Sequence, residues 1–229
     1  MAPPITIISS MATRQLLAEL TRQYQRQSGQ PVTTESVGGV DAARRVRADE
    51  AFDVVVLAAN AIEQLTEAGK VIAGSKVDLV RSGVAVAVPE GAPKIDIGSE
   101  EAVRQAVLAA RSISYSTGPS GVHLTRVFER WGITGQIAGK IVQAPPGIPV
   151  GSLVADGKVE LGFQQLSELM NLPGIEVLGP LPGAIQIITI FSAGLSATSK
   201  QPDAVRAMLE FFRSPETAQI KRHNGMEPA

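Results

Sequence analysis

The chain of 229 residues carries 21 Lys and Arg against 22 Asp and Glu, a formal net charge of −1. That balance argues against a protein that coats a polyanion, since nucleic-acid binders of this size carry a basic excess gathered on one face. With no cysteine and two histidines, disulfide frameworks and thiolate metal sites are excluded. A zinc site or a Ser-His-Asp triad would have only His123 or His223 to draw on.

At 44% hydrophobic residues the chain can bury a substantial core, and with six Phe, two Tyr and one Trp that core must be aliphatic. The length allows one large or two small domains. The longest apolar runs are strand-sized, so no membrane insertion is expected. The start, Met1-Ala2-Pro3-Pro4 and then Ile5 to Ile8, enters a strand at once and lacks the regions of a signal peptide. As written this predicts a cytoplasmic protein; a chain trimmed of a signal peptide would begin the same way and be periplasmic.

Ile5 to Ile8 is a β-branched run ending in Ser9-Ser10-Met11, after which Leu16, Leu17, Leu20 and Tyr24 recur at helical spacing as far as Gly29. The pattern repeats: Val32 to Val37 ends in Gly38-Gly39, and Val40 to Arg47 reads as a helix. Phe52 to Leu57 is a continuous apolar run, the mark of a strand covered on both faces of a parallel sheet. Gly83 to Val88 is extended and stops at a Pro and Gly cluster. A second α/β series then follows: a helix from Glu100, a strand Ser112 to Tyr115, the loop Ser116 to Gly121, a helix Val122 to Trp131, a short strand Ile141 to Gln143, and the loop Ala144 to Gly151. Ile185 to Phe191 is a second long extended run. Ser214-Pro215-Glu216 starts the last helix with an N-cap acceptor, a proline at the first helical position and an acid in the first turn. Alternating strands and helices predict an α/β architecture with mainly parallel sheets. The two long runs, bracketing a central block, predict two lobes: residues 1–84 with 190–229, and residues 85–189.

Ligands of such sheets bind at the carboxyl ends of strands, where a helix N-terminus offers free amides to an anion. Four small-residue loops qualify: Ser9-Ser10-Met11, Gly38-Gly39, Ser116 to Gly121, and Pro146 to Gly151 with Gly147 and Ile148. Two come from each predicted lobe, so a cleft between the lobes would collect all four. Gly39 to Arg44 and Gly121 to Arg126 share Gly-Val-x-x-x-Arg, either as equivalent positions of the two lobes or by chance. None of these loops has Walker or G-x-G-x-x-G spacing, which leaves nucleotide binding without support. His123 falls in the first turn after Ser120-Gly121; it is either a donor or base facing a bound anion, or a solvent-facing helix residue. Gln164-Gln165 closes another strand, and alternation directs one of the two amides into the cleft. Asp49-Glu50, Glu100-Glu101 and His223 read as surface.

These segments together resemble the molybdate-binding branch of the type II periplasmic binding proteins, the solute receptors of ABC transporters. The similarity is carried by Ile5 to Met11, Phe52 to Ala59, Gly83 to Pro89, Pro119-Ser120-Gly121, Glu160-Leu161-Gly162, and Phe211 to Ala218 followed by Gly225-Met226-Glu227-Pro228. It implies a two-lobed fold with two crossover strands and hinge closure on a small anion, held by hydroxyls and backbone amides with no cofactor. By position, the ligand contacts it implies fall among Ser9, Ser10 and Met11, at Gly39, at Ser120, around Gly147-Ile148, and at Gln165. The molybdate proteins commonly offer a serine where Gly39 stands and a tyrosine where Gln165 stands, a departure that points to a larger or differently shaped anion such as an organic carboxylate. An ABC permease is implied as partner only if the chain is exported. The sequence is also similar to aconitate isomerase; an isomerase would need a base, and His123 is the candidate, with Gln165 and Ser10 as donors.

Overall fold

The computed structural model describes residues 2–145 and 148–229. In chain order the elements are β1 (Ile5–Ser10), α1 (Arg14–Ser28), β2 (Val32–Val37), α2 (Gly39–Arg47), β3 (Val54–Ala58), α3 (Ala59–Glu67), β4 (Val77–Pro89) and α4 (Glu100–Ala109). They continue with β5 (Ile113–Tyr115), α5 (Pro119–Arg130), α6 (Thr134–Ile137), α7 (Val150–Ala155), β6 (Leu161–Gln165), α8 (Leu166–Leu169) and β7 (Ile175–Pro180). The chain closes with β8 (Ile188–Leu195), α9 (Pro202–Arg213), α10 (Ala218–His223) and β9 (Glu227–Pro228). It divides into two units, Met1–Ser82 with Ile190–Ala229, and Gly83–Thr189, and crosses from one to the other within β4 and again within β8.

In the first unit β1 pairs in parallel with β2 and with β3, and β3 pairs antiparallel with β8. All five residues of β3 are buried, and its alternation divides them between two cores. Val54 and Val56 pack with Ile5, Ile7, Leu16, Leu20, Met208 and Phe212, while Val55 and Leu57 pack with Ile8, Val46, Ile62 and Leu65. A strand with helices on both faces reads as an unbroken apolar run, which is why Val54 to Leu57 shows no polar alternation. Beneath this sheet, Asp53 is tied to both ends of its unit: it accepts from the Thr6 amide at 2.9 Å, the Thr6 hydroxyl at 3.0 Å, Ser199 Oγ at 2.6 Å and Gln201 Nε2 at 3.0 Å. Burial works against its charge, but these donors outweigh it and hold the carboxyl below its ordinary range.

In the second unit β4 is flanked antiparallel by β7 and β6, and β5 pairs in parallel with β6. Val84, Val86 and Val88 point into a core with Val103, Val107, Phe128 and Phe163, while Ala85 and Ala87 face Leu169. The sheets are therefore mixed where the apolar runs suggested a mainly parallel arrangement: burial on both faces fixes hydrophobicity, not strand direction.

Other local expectations shift. The fifth helix begins at Pro119, three residues earlier than Val122, because proline at its first position fits the helical φ without needing an amide donor. Ile141 to Gln143 forms only an isolated bridge, Ile141 to Ile113. The second crossover strand begins at Ile188, not Ile185. Ser214 makes no side-chain cap; the chain takes a 3-10 turn at Pro215–Thr217 before α10, and the Ser214 hydroxyl is buried without a partner.

Candidate functional site

In the first unit the carboxyl end of β1 presents two serines with different roles. Ser9 is fully buried and its hydroxyl lies 2.7 Å from that of Ser36, the residue opposite it in the parallel register with β2. Ser10 is 7% exposed and its hydroxyl has no partner, while its carbonyl accepts from Thr13 Oγ1 at 3.1 Å. Half-buried Met11 opens a 3-10 turn that leads into α1. The β2 end lies alongside: Gly38 precedes α2, its carbonyl takes the Ala42 amide at 2.9 Å, and a β-carbon on Gly39 would stand 3.6 Å from Ser10 Cβ. The amides of the first turn of α2 have no intrahelical acceptor, so an unpartnered hydroxyl and a helix start converge here. The cations nearby on α2 are engaged, Arg44 with Asp41 and Arg45 with Glu35 and Glu50.

In the second unit β5 gives way to the Ser116 to Gly121 loop, whose last three residues are the first turn of α5. Ser116 Oγ and Ser120 Oγ are 2.9 Å apart. Gly121 packs so tightly on the Ser116 backbone that a β-carbon would fall 1.6 Å from that carbonyl oxygen; the turn exists only with glycine there. His123 is exposed on α5, whose buried residues include Leu124 and Phe128.

Gly147 lies outside the described residues. Ile148 is 46% exposed and its amide bonds the Pro145 carbonyl at 3.0 Å. At the end of β6, Gln165 is 4% exposed, donates from Nε2 to Thr189 Oγ1 at 2.9 Å and leaves Oε1 without a partner. Thr189 can donate as readily as accept, so exchanging the amide's O and N keeps this bond and turns an NH2 outward. Gln164, on the opposite face by strand alternation, accepts the Gly151 amide at 3.0 Å and donates to Glu168 Oε1 at 2.8 Å.

Glu168 was not among the sequence candidates. It sits deep in the mass of the second unit although it keeps some accessible surface, and burial raises its pKa to about 7 against the opposing pull of the Gln164 hydrogen bond. Thr189 and Ser36 were also missed. Each acts through a partner remote in sequence: parallel register brings Ser36 to Ser9, and Thr189 meets Gln165 across a separation of 24 residues. The structure thus brings Ser10 to Gly39, Ser116 to Ser120 and Gly121, and Gln165 to Thr189; it commits Ser9 to Ser36. A cavity of about 380 Å³ in the first unit, lined by Lys76, Asp78, Arg213 and Lys221 among others, includes none of these residues. No group of three or more acidic or histidine side chains among the described residues could hold a metal ion, and no helix among them is long and apolar enough to cross a membrane.

Strand ends rich in hydroxyls, amides and helix starts, on two α/β units linked by two crossover strands, are the features of a solute receptor. The chain belongs to the bacterial extracellular solute-binding protein family, whose model matches residues 5–227, and it has the type II periplasmic-binding-protein fold. It is 35% identical over 230 residues to an aconitate isomerase of Pseudomonas sp, covering 98% of this chain and 87% of that one. Its fold superimposes on the Azotobacter vinelandii periplasmic molybdate-binding protein with a TM-score of 0.80 at 18% identity, covering 97% and 98% of the two chains. A sulfate-binding protein from Mycobacterium tuberculosis matches with a TM-score of 0.80 at 15% identity, covering 100% of this chain and 88% of that one.

Proposed function

We propose that the protein binds a small oxyanion or organic carboxylate through strand-end residues: Ser10, the Gly38-Gly39 turn and Met11 of the first unit, and Ser116, Ser120, Gly121, the Gly147-Ile148 segment and Gln165 of the second. The observation that carries this reading is that, of the five buried side-chain polar atoms without a partner among the described residues, Ser10 Oγ and Gln165 Oε1 each stand at the carboxyl end of a strand, one in each unit. A buried polar group without a hydrogen bond costs about 1–3 kcal/mol, a cost that a bound anion relieves once the Gln165 amide turns. Recognition by neutral donors agrees with the net charge of −1 and with Arg44 and Arg45 being paired already. Relatives that bind molybdate and sulfate support an anion; the larger space at Gly39 supports a carboxylate-bearing one. If the chain is exported, an ABC permease is the partner.

The 35% identity to an aconitate isomerase favours a second reading, isomerisation of a small carboxylate by proton transfer. His123 is then the candidate base, and its exposure on α5 requires that a ligand approach that helix face.

A thermal-shift screen of molybdate, tungstate, sulfate, phosphate and small di- and tricarboxylates tests the first reading. A ligand at 100 times its dissociation constant adds about 2.7 kcal/mol, and silence across the panel would refute it. Incubation with cis- or trans-aconitate in deuterated water separates the second: solvent deuterium enters the substrate only if turnover occurs.

A further inference from the structure

Glu168 stands in α8, three residues after Gln165, and is connected to a loop it does not touch directly. Its Oε1 accepts Gln164 Nε2 at 2.8 Å, and Gln164 Oε1 accepts the Gly151 amide at 3.0 Å. Gly151 lies in the first turn of α7, three residues after Ile148. A β-carbon there would fall 2.7 Å from Leu172 Cδ2 and 3.1 Å from Leu169 Cδ2, so glycine is what lets this turn settle against the α8 segment and into reach of Gln164.

The carboxylate has no cationic partner among the described residues. The helix packs on β6 and β7; β6 and α7 contain no charged residue, and β7 contains only Glu176. Burial and the Gln164 hydrogen bond are the influences acting on Glu168, and they bring its titration to about pH 7. In its ionised form the carboxylate is a charge-assisted acceptor that polarises the Gln164 amide and with it the bond to Gly151. Protonation relaxes that polarisation and removes a negative charge behind the loop.

We infer that Glu168 is a positioning residue whose protonation state is transmitted through Gln164 to the Gly151 amide and sets the anion affinity of the Ile148 to Gly151 segment, an inference that rests on this segment contacting the ligand. The protonated form favours an anion, so affinity falls as pH rises through neutrality. The effect is tenfold for each pH unit by which the bound anion raises the carboxyl's titration.

The test has two arms. In the unliganded protein, the Gly151 backbone amide is followed by nuclear magnetic resonance between about pH 5 and 8. It should titrate in the wild type and stay flat in Glu168→Gln, whose side-chain oxygen still accepts from Gln164. A flat wild-type amide, or the same titration in the variant, overturns the inference. In the second arm, molybdate and cis-aconitate affinities are measured over the same range. Wild-type affinity should fall with pH relative to Glu168→Gln, and parallel profiles also overturn it. If no anion of the thermal-shift panel binds at any pH, the proposed function fails in its place, while the amide titration still decides the coupling.

Discussion

Gln165 donates to Thr189 Oγ1 at 2.9 Å and keeps its own Oε1 buried without a partner. One hydroxyl thus fixes the plane of the amide while leaving half of it for a ligand. Thr189→Val keeps the shape but removes this anchor, and a neutral hydrogen bond is worth about 1 kcal/mol net. Calorimetric titration with whichever anion binds should show affinity weakened about fivefold. Unchanged affinity would mean that Gln165 does not serve the ligand.

Gly39→Ser restores a hydroxyl beside Ser10. The β-carbon would sit at an ordinary 3.6 Å from Ser10 Cβ, so the change should fold normally. It should shift preference toward compact tetrahedral oxyanions and away from carboxylates. Competition between molybdate and cis-aconitate reads this directly; an unaltered ratio would remove Gly39 from the specificity argument.

Gly121→Ala has no such room. With the Ser116 carbonyl oxygen 1.6 Å from the new carbon, the α5 turn must move, at a cost of about 1–3 kcal/mol or more. Urea unfolding should show a lowered midpoint, and the Ser116 to Ser120 contact should be lost with it.

Legibility in the sequence differed between elements for physical reasons. Strand β3 was readable because burial on both faces leaves an unbroken apolar run, and helix α1 because one buried stripe recurs at helical spacing: Leu16, Leu17, Leu20 and Tyr24 are all buried. The loops Ser9 to Met11 and Ser116 to Gly121 were readable because small residues before a helix are a local signal. Glu168 was not, because a single acid after a strand looks like surface until its burial and its bond to Gln164 are seen. Ser36 was not legible for the complementary reason: it lies 27 residues from Ser9 and is brought to it only by parallel register.

The two perturbed acids give opposite dependences on pH. Asp53 has its folded-state pKa lowered, so its contribution is complete above its ordinary value of 3.8 and is lost as pH falls through the lower folded value. Asp53→Asn should therefore be destabilised at neutral pH, by about 1.5–3 kcal/mol for charge-assisted bonds, with the gap to wild type narrowing in acid. Glu168 has its folded pKa raised from 4.5 to about 7, so its contribution is complete below 4.5 and lost as pH rises through 7. Glu168→Gln should gain stability relative to wild type between those limits, by ~3 kcal/mol at most. Urea unfolding of both variants in acid and at neutral pH checks both signs.

The central claim is that buried hydroxyls and amides at these strand ends bind an anion. Isothermal titration of wild type, Ser10→Ala and Gln165→Leu with the best anion from the thermal-shift screen tests it most directly. The account predicts that each variant weakens binding of that anion while its unfolding transition stays cooperative. Full wild-type affinity in either variant would contradict it.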